Sequence, residues 1–203
     1  MNYFTFEKAL RNFPVFSIRD IKKIFSEFDS RRLVEWQQKG YILKIKRGYY
    51  CFEPYRKDEQ FLNLIANRIY KPSYVSFESA LAYYNFIPEG VFTITSATSL
   101  NTASYDTAIG KFTYRHIKPT LLFGYKLIQK EGFTVKIAEP EKVLLDYFYL
   151  SKINSVNEMN EMRFNEIGLK ETIDFSKLEK YQNVFDSPTV AKRIQLFKRV
   201  IHA

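Results

Sequence analysis

Arg31 and Arg32 are followed by Gln37 and Gln38, and then by Lys44, Lys46 and Arg47. Guanidinium and amide groups are the donors and acceptors that read base edges, and lysines along a hairpin neutralise backbone phosphates. Little else in the chain offers bond-breaking chemistry. The two histidines, His116 and His202, are far apart, and the single cysteine, Cys51, has no neighbour that would activate a thiol. Zinc would need clustered His or Cys ligands, and none are clustered. Neither a glycine-rich phosphate loop nor a nucleophile elbow is present. Glu139, Glu141 and Lys142 miss the spacing of metal-dependent nucleases, which set an acid, one spacer and a lysine on a strand. Helix capping and surface charge explain them more simply. No catalytic residue, metal or cofactor is expected, and the chain reads as a binding protein rather than an enzyme.

The stretch that must position the basic residues runs from Asp29 to Phe52. Asp29 or Ser30 can cap a helix in which Leu33 and Trp36 share one face while Arg31, Arg32, Glu35 and Gln38 fall mostly elsewhere. Lys39-Gly40 ends that helix. Leu43 and Ile45 then alternate with Lys44 and Lys46, which predicts a half-buried strand, and Arg47-Gly48 turns into a returning strand from Tyr49. Upstream, Phe6, Leu10 and Phe13 mark a first helix. Ser17 caps a second, whose Ile18, Ile21, Phe25 and Phe28 face inward and whose Arg19, Lys22 and Lys23 face outward. Three helices and a hairpin predict a winged helix-turn-helix, in which the third helix enters a major groove. A plain helix and hairpin with a solvated charged face is the rival reading.

Charge separates the two. The 203 residues carry a net charge of +9 with a pI near 9.4, which favours a polyanionic partner. Residues 1–57 hold 13 Lys and Arg against 6 Asp and Glu, whereas residues 58–203 hold 18 against 16. The excess therefore sits in the segment that carries the hairpin. The expected DNA-contacting set is Arg19, Lys22, Lys23, Ser30, Arg31, Arg32, Gln37, Gln38, Lys44, Lys46, Arg47 and Tyr49.

Glu53 to Asp58 is polar and contains Pro54, and predicts a linker between a domain at 1–57 and another at 58–203. The second reads as mixed α and β. Helices are expected around Phe61–Ile69, from a Ser76 cap to Asn85, and from Pro140 through Leu150. Ser73–Val75 is expected to lead into the second of these. Strands are expected at Val91–Thr95, Phe112–Ile117, Leu121–Ile128 and Phe133–Ile137, with a loop at 97–109. Two weaker helices near 157–164 and 176–182 precede a last one from Ser187-Pro188. It buries Val190, Ile194, Phe197 and Ile201 and turns Lys192, Arg193, Lys198 and Arg199 outward. The fold class is thus α+β: a winged helix followed by a mixed domain with a small, mainly antiparallel sheet. One cysteine, no signal peptide and no membrane-length apolar run together fit a cytoplasmic protein with no membrane partner.

Three phrases carry a family resemblance. Lys39-Gly40 with Arg47-Gly48-Tyr49-Tyr50, then Val75-Ser76-Phe77-Glu78-Ser79-Ala80-Leu81, then Pro140-Glu141-Lys142-Val143-Leu144-Leu145-Asp146 resemble, in order and separation, the AbiEi-type antitoxins of bacterial type IV toxin–antitoxin systems. The match spans residues 5–150, and Asn85 stands where those relatives are expected to carry glycine. The resemblance implies a winged helix that represses its own promoter at inverted repeats in double-stranded DNA. It also implies a second domain that counters a nucleotidyltransferase-like toxin without a stable complex, with Ser76, Ser79, Glu141, Lys142 and Asp146 in the matched phrases. Two alternatives stay open: a regulator whose second domain binds a ligand or dimerises, and a DNA-targeted nuclease.

Overall fold

The computed structural model describes residues 1–53, 58–130 and 132–201. Linker residues 54–57 and His202 lie outside them.

Phe6 and Leu10, one turn apart, are the buried side of α1 (Tyr3–Leu10), which Asn2 caps. Strand β1 (Val15–Ser17) runs straight into α2 (Ile18–Ile24) through a capping box, with Ser17 and Asp20 each bonding the other's backbone N–H. In α3 (Arg31–Gln38), Leu33 and Trp36 are buried, and Gly40 at φ +69° turns the chain out of the helix. Strands β2 (Ile42–Lys46) and β3 (Tyr49–Phe52) complete a three-stranded antiparallel sheet of order β1-β3-β2.

Both faces of this sheet are used. Phe16, Ile42 and Tyr50 join Phe6, Phe28 and Trp36 in a small aromatic core under the three helices. Val15, Ile45 and Cys51 belong instead to the larger core of the second unit.

That unit begins with α4 (Glu59–Ile69), followed by β4 (Ser73–Val75), α5 (Phe77–Tyr83), β5 (Thr93–Thr98), β6 (Ala103–Asp106) and β7 (Lys111–His116). A short 3-10 turn at Pro119–Leu121 precedes β8 (Tyr125–Lys130) and β9 (Phe133–Ala138). Then come α6 (Pro140–Leu150), α7 (Val156–Asn160), α8 (Glu166–Thr172), α9 (Phe175–Phe185) and α10 (Pro188–Val200). The sheet order is β6-β7-β5-β4-β9-β8, with β5/β7 and β4/β9 parallel and the remaining pairs antiparallel. The fold is α+β, with one mixed six-stranded sheet and one small antiparallel sheet.

Two of the six strands depart from expectation. Ser73–Val75 is a strand rather than a lead-in to a helix; all three residues are buried, so no alternation advertises it. Ala103–Asp106 falls in the expected loop, where small polar residues form an edge strand held by β7. In α10, Arg193 is buried rather than outward. Its guanidinium donates to the Phe148 and Ile153 carbonyls and so closes the C-terminal end of α6. Among the described residues no helix is long and apolar enough to cross a membrane.

Candidate functional site

Solvent and packing divide the expected basic set. Arg19, Lys22 and Lys23 lie on the exposed side of α2, and Lys44 and Arg47 are exposed on the hairpin. Gly48, at φ +83°, accepts from the Ile18 N–H, so the hairpin turn rests on the start of α2. On α3, the Asp29 carboxylate accepts from the Arg31 N–H at the helix start, whereas Ser30 occupies the cap position without a side-chain bond. The same carboxylate holds the Arg31 guanidinium at 2.9 Å, and that side chain is 91% exposed. This bond, more than any other influence, keeps the Asp29 pKa below its ordinary value. Gln38 is exposed at the other end of the helix, while Arg32 is half-buried. Val34, 55% exposed, also stands on the outer side of α3. Reading inward positions alone gave no reason to single it out.

Three of the expected residues point elsewhere. Gln37 donates back to the Leu33 carbonyl at 2.7 Å and is engaged with its own helix. Strict alternation sets Lys46 beside Lys44, but a bulge between them shifts the register, so Lys46 faces the same side as Ile45. Its ammonium lies 4.1 Å from the Tyr105 ring centroid, with the Tyr49 and Tyr70 rings at 5.3 and 5.6 Å. Burial there lowers its pKa. Lys46 therefore braces the hairpin against the second sheet, and Tyr49 is part of that brace.

The matched phrases of the second unit converge as well. Ser76, Lys142 and Asp146 are fully buried together with Tyr74. Asp146 accepts from Ser76 Oγ at 2.8 Å and from the Tyr74 hydroxyl at 2.9 Å, and Lys142 Nζ donates to Asp146 and, at 2.8 Å, to the Tyr74 oxygen. The rings of Phe185, Phe123 and Tyr74 surround the ammonium at 4.8–5.4 Å. Burial pushes the Lys142 pKa down and the Asp146 pKa up, and each partner pulls the other back toward charge. Expected as a helix cap, Ser76 instead makes no cap bond, because its hydroxyl is turned to Asp146. Tyr74 was not singled out from the sequence, although on a strand it shares a side with Ser76.

Ser79 and Glu141 flank this network. The Ser79 hydroxyl and Thr95 exchange bonds that fasten α5 to β5. Glu141 accepts from the Asp174 N–H and ion-pairs with Lys177, which also reaches Glu139. These carboxylates hold α9 on α6. Buried, Ser76, Ser79, Lys142 and Asp146 join helices to the sheet, and Glu141 joins α6 to α9. His116 Nδ1 lies 3.0 Å from the Leu100 carbonyl, in keeping with a structural hydrogen bond.

A concavity of about 610 Å³ lies over the starts of β5 and β7. Thr95, Thr113 and Met162 line it with a Glu78–Arg115 ion pair of 2.9 Å, and Phe92 stands at its rim 95% exposed.

No protein-family model matches the chain, and no curated protein does. Among solved structures, the crystal structure of the RV2827C protein from Mycobacterium tuberculosis is similar in fold, with a TM-score of 0.57 at 12% sequence identity, covering 96% of this chain and 74% of that one.

Proposed function

We propose that the protein is a sequence-specific DNA-binding repressor whose first 57 residues form a winged helix-turn-helix, and that its second unit acts as an antitoxin against a nucleotidyltransferase-like toxin. One observation carries the DNA-binding part. The order α1-β1-α2-α3-β2-β3 leaves Arg19, Lys22, Lys23, Lys44 and Arg47 exposed, and among the described residues none of these is ion-paired. Such a face suits phosphates on either side of a groove. Arg31 and Gln38 are the base-reading candidates, and Val34 suits a thymine methyl group. Two-fold symmetric sites would require two copies on the DNA. The antitoxin part rests on the three matched phrases.

Gel shifts on operator and scrambled duplexes test the assignment. Arg31→Ala is expected to weaken operator binding by about 1–3 kcal/mol and to relax sequence preference, while Lys44→Ala weakens both duplexes alike. Equal losses on both duplexes from both variants would overturn the placement of α3. Growth rescue on co-expression with an adjacent nucleotidyltransferase-like gene tests the antitoxin part. Failure of rescue would favour a ligand-responsive regulator, for which the cavity at Glu78 and Arg115 is the site.

A further inference from the structure

A second cavity, of about 440 Å³, opens where the last turn of α4, the turn into β4 and the outer side of β9 meet. It has the size of a small-molecule site. Its polar lining holds three cations, Arg68, Lys71 and Lys136, beside Asn67, Ser73 and Thr134, and no acid. Among the described residues none of the three is ion-paired. Arg68 makes one long bond, 3.4 Å, to the Val15 carbonyl, and the Lys136 ammonium lies 5.2 Å from the centre of the Tyr125 ring. The acid that Arg68 and Lys71 feel is Asp20, and its carboxylate is already bonded to the Ser17 N–H and hydroxyl. Partial burial lowers the Lys71 pKa, and repulsion from Arg68 and Lys136 lowers it further against the pull of Asp20.

Asn67 supplies the observation that points to a ligand. It lines this cavity and is 7% exposed. Its Oδ1 accepts the backbone N–H of Lys136, which can only donate, so the orientation of the amide is fixed. The other end of the amide, Nδ2, is buried with no hydrogen-bond partner. An unmet buried donor beside three cations that make no ion pair suits an oxyanion.

We propose that this cavity binds a phosphate group, held by Arg68, Lys71 and the Asn67 amide. The phosphate belongs either to a free ester such as a nucleotide or to a DNA backbone. Because the cavity lies on α4 and β9, outside the α3 face, the proposal does not depend on the reading of that face.

Thermal unfolding of the full chain, in inorganic phosphate against chloride at equal ionic strength, tests it. The wild-type midpoint is expected to rise with the logarithm of phosphate concentration. Lys71→Gln, at an exposed position, should raise the phosphate needed for the same shift about tenfold. Asn67→Asp keeps the acceptor for the Lys136 N–H and sets a carboxylate among the cations. It should abolish the phosphate response and leave the midpoint in chloride at or above the wild-type value. No wild-type stabilisation by phosphate over chloride, or a full response in both variants, would overturn the site. Titration of a random-sequence duplex separates the sources. A DNA phosphate predicts weaker duplex binding by Lys71→Gln with a salt slope reduced by about one, whereas a free ester predicts unchanged duplex binding. A wild-type chain that responds to phosphate but binds no duplex would refute the DNA-binding reading and leave this site standing.

Discussion

Replacing one member of the Lys142–Asp146 pair should cost far more than replacing both. The two side chains are one helical turn apart on α6 and entirely withdrawn from water. Asp146→Leu removes the carboxylate and leaves the Lys142 ammonium with the Tyr74 oxygen and three rings. Lys142→Met leaves Asp146 with two hydroxyl donors and no cation. Removing one partner of a buried pair costs about 3–5 kcal/mol, because a charge is left uncompensated, while an apolar pair of similar volume is close to neutral. For a chain of this size that corresponds to a midpoint loss of roughly 6–20 °C for each single variant. The double variant Lys142→Met/Asp146→Leu should recover most of it, giving a coupling energy of several kcal/mol in a double-mutant cycle. Urea unfolding followed by circular dichroism measures all four proteins. A pH series adds a signature. Without Asp146, the folded-state pKa of Lys142 lies further below its unfolded value, so the unfolded chain binds more protons between the two. Stability then rises with pH across that window, and the Asp146→Leu deficit narrows in alkali. Single variants that lose under about 1 kcal/mol, or a double variant as unstable as the sum of the singles, would refute the account of the network.

Burial pushes the Cys51 thiol up to about 12, so a thiol reagent at pH 8 should label the folded protein hardly at all and the urea-unfolded protein fully. Burial works against the charge of Asp20, but the bonds from Ser17 prevail and hold its pKa below the ordinary value. A depressed carboxyl stabilises above its unfolded pKa and loses that contribution as pH falls through the folded one. Asp20→Asn should therefore cost about 0.5–2 kcal/mol at pH 7, and the gap to wild type should close below about pH 4 in acid-titrated unfolding. Lys46→Ala should lower stability by about 0.5–2 kcal/mol through loss of its tyrosine contacts, with a smaller effect on duplex binding than Lys44→Ala; the reverse order would refute the brace. A fragment ending at residue 57 should show a collapsed or absent unfolding transition, because Val15, Ile45 and Cys51 lose their cover.

The helices of the first unit were legible because each writes one apolar stripe, Phe6 with Leu10, Ile18 with Ile21, and Leu33 with Trp36, and because Ser17 marks the start of the second. Lys46 was not, since a bulge leaves no mark in a period-two pattern and moves one side chain across the sheet. β4 was hidden by complete burial, and β6 by polar residues whose strand geometry comes from β7 alone. α8 buries only Leu169 and contains Gly168, too little for a helical stripe to show. The matched phrases located Ser76, Lys142 and Asp146 but gave no hint that Tyr74 joins them. That pairing is set by β4 lying against α6 in space, which no local pattern encodes.

The two-faced sheet decides how the units relate. A reading head joined by a free linker would be stable alone and would sample many orientations. Here Val15 and Ile45 are buried by the second unit, and burying such side chains is worth about 1.5–3 kcal/mol each. Cys51 and the Lys46 brace add to that. A single small core of the kind under α1 to α3 rarely supplies more than about 3–5 kcal/mol by itself. The contribution of the second unit is therefore comparable with the whole stability of the first, and the two fold as one thermodynamic system. Any ligand that binds only the folded second unit must then also protect the sheet carrying Lys44 and Arg47 from unfolding. The Arg68–Lys71 cavity adjoins that sheet, because Arg68 donates to the Val15 carbonyl of β1, so a ligand held there would protect both units against unfolding together.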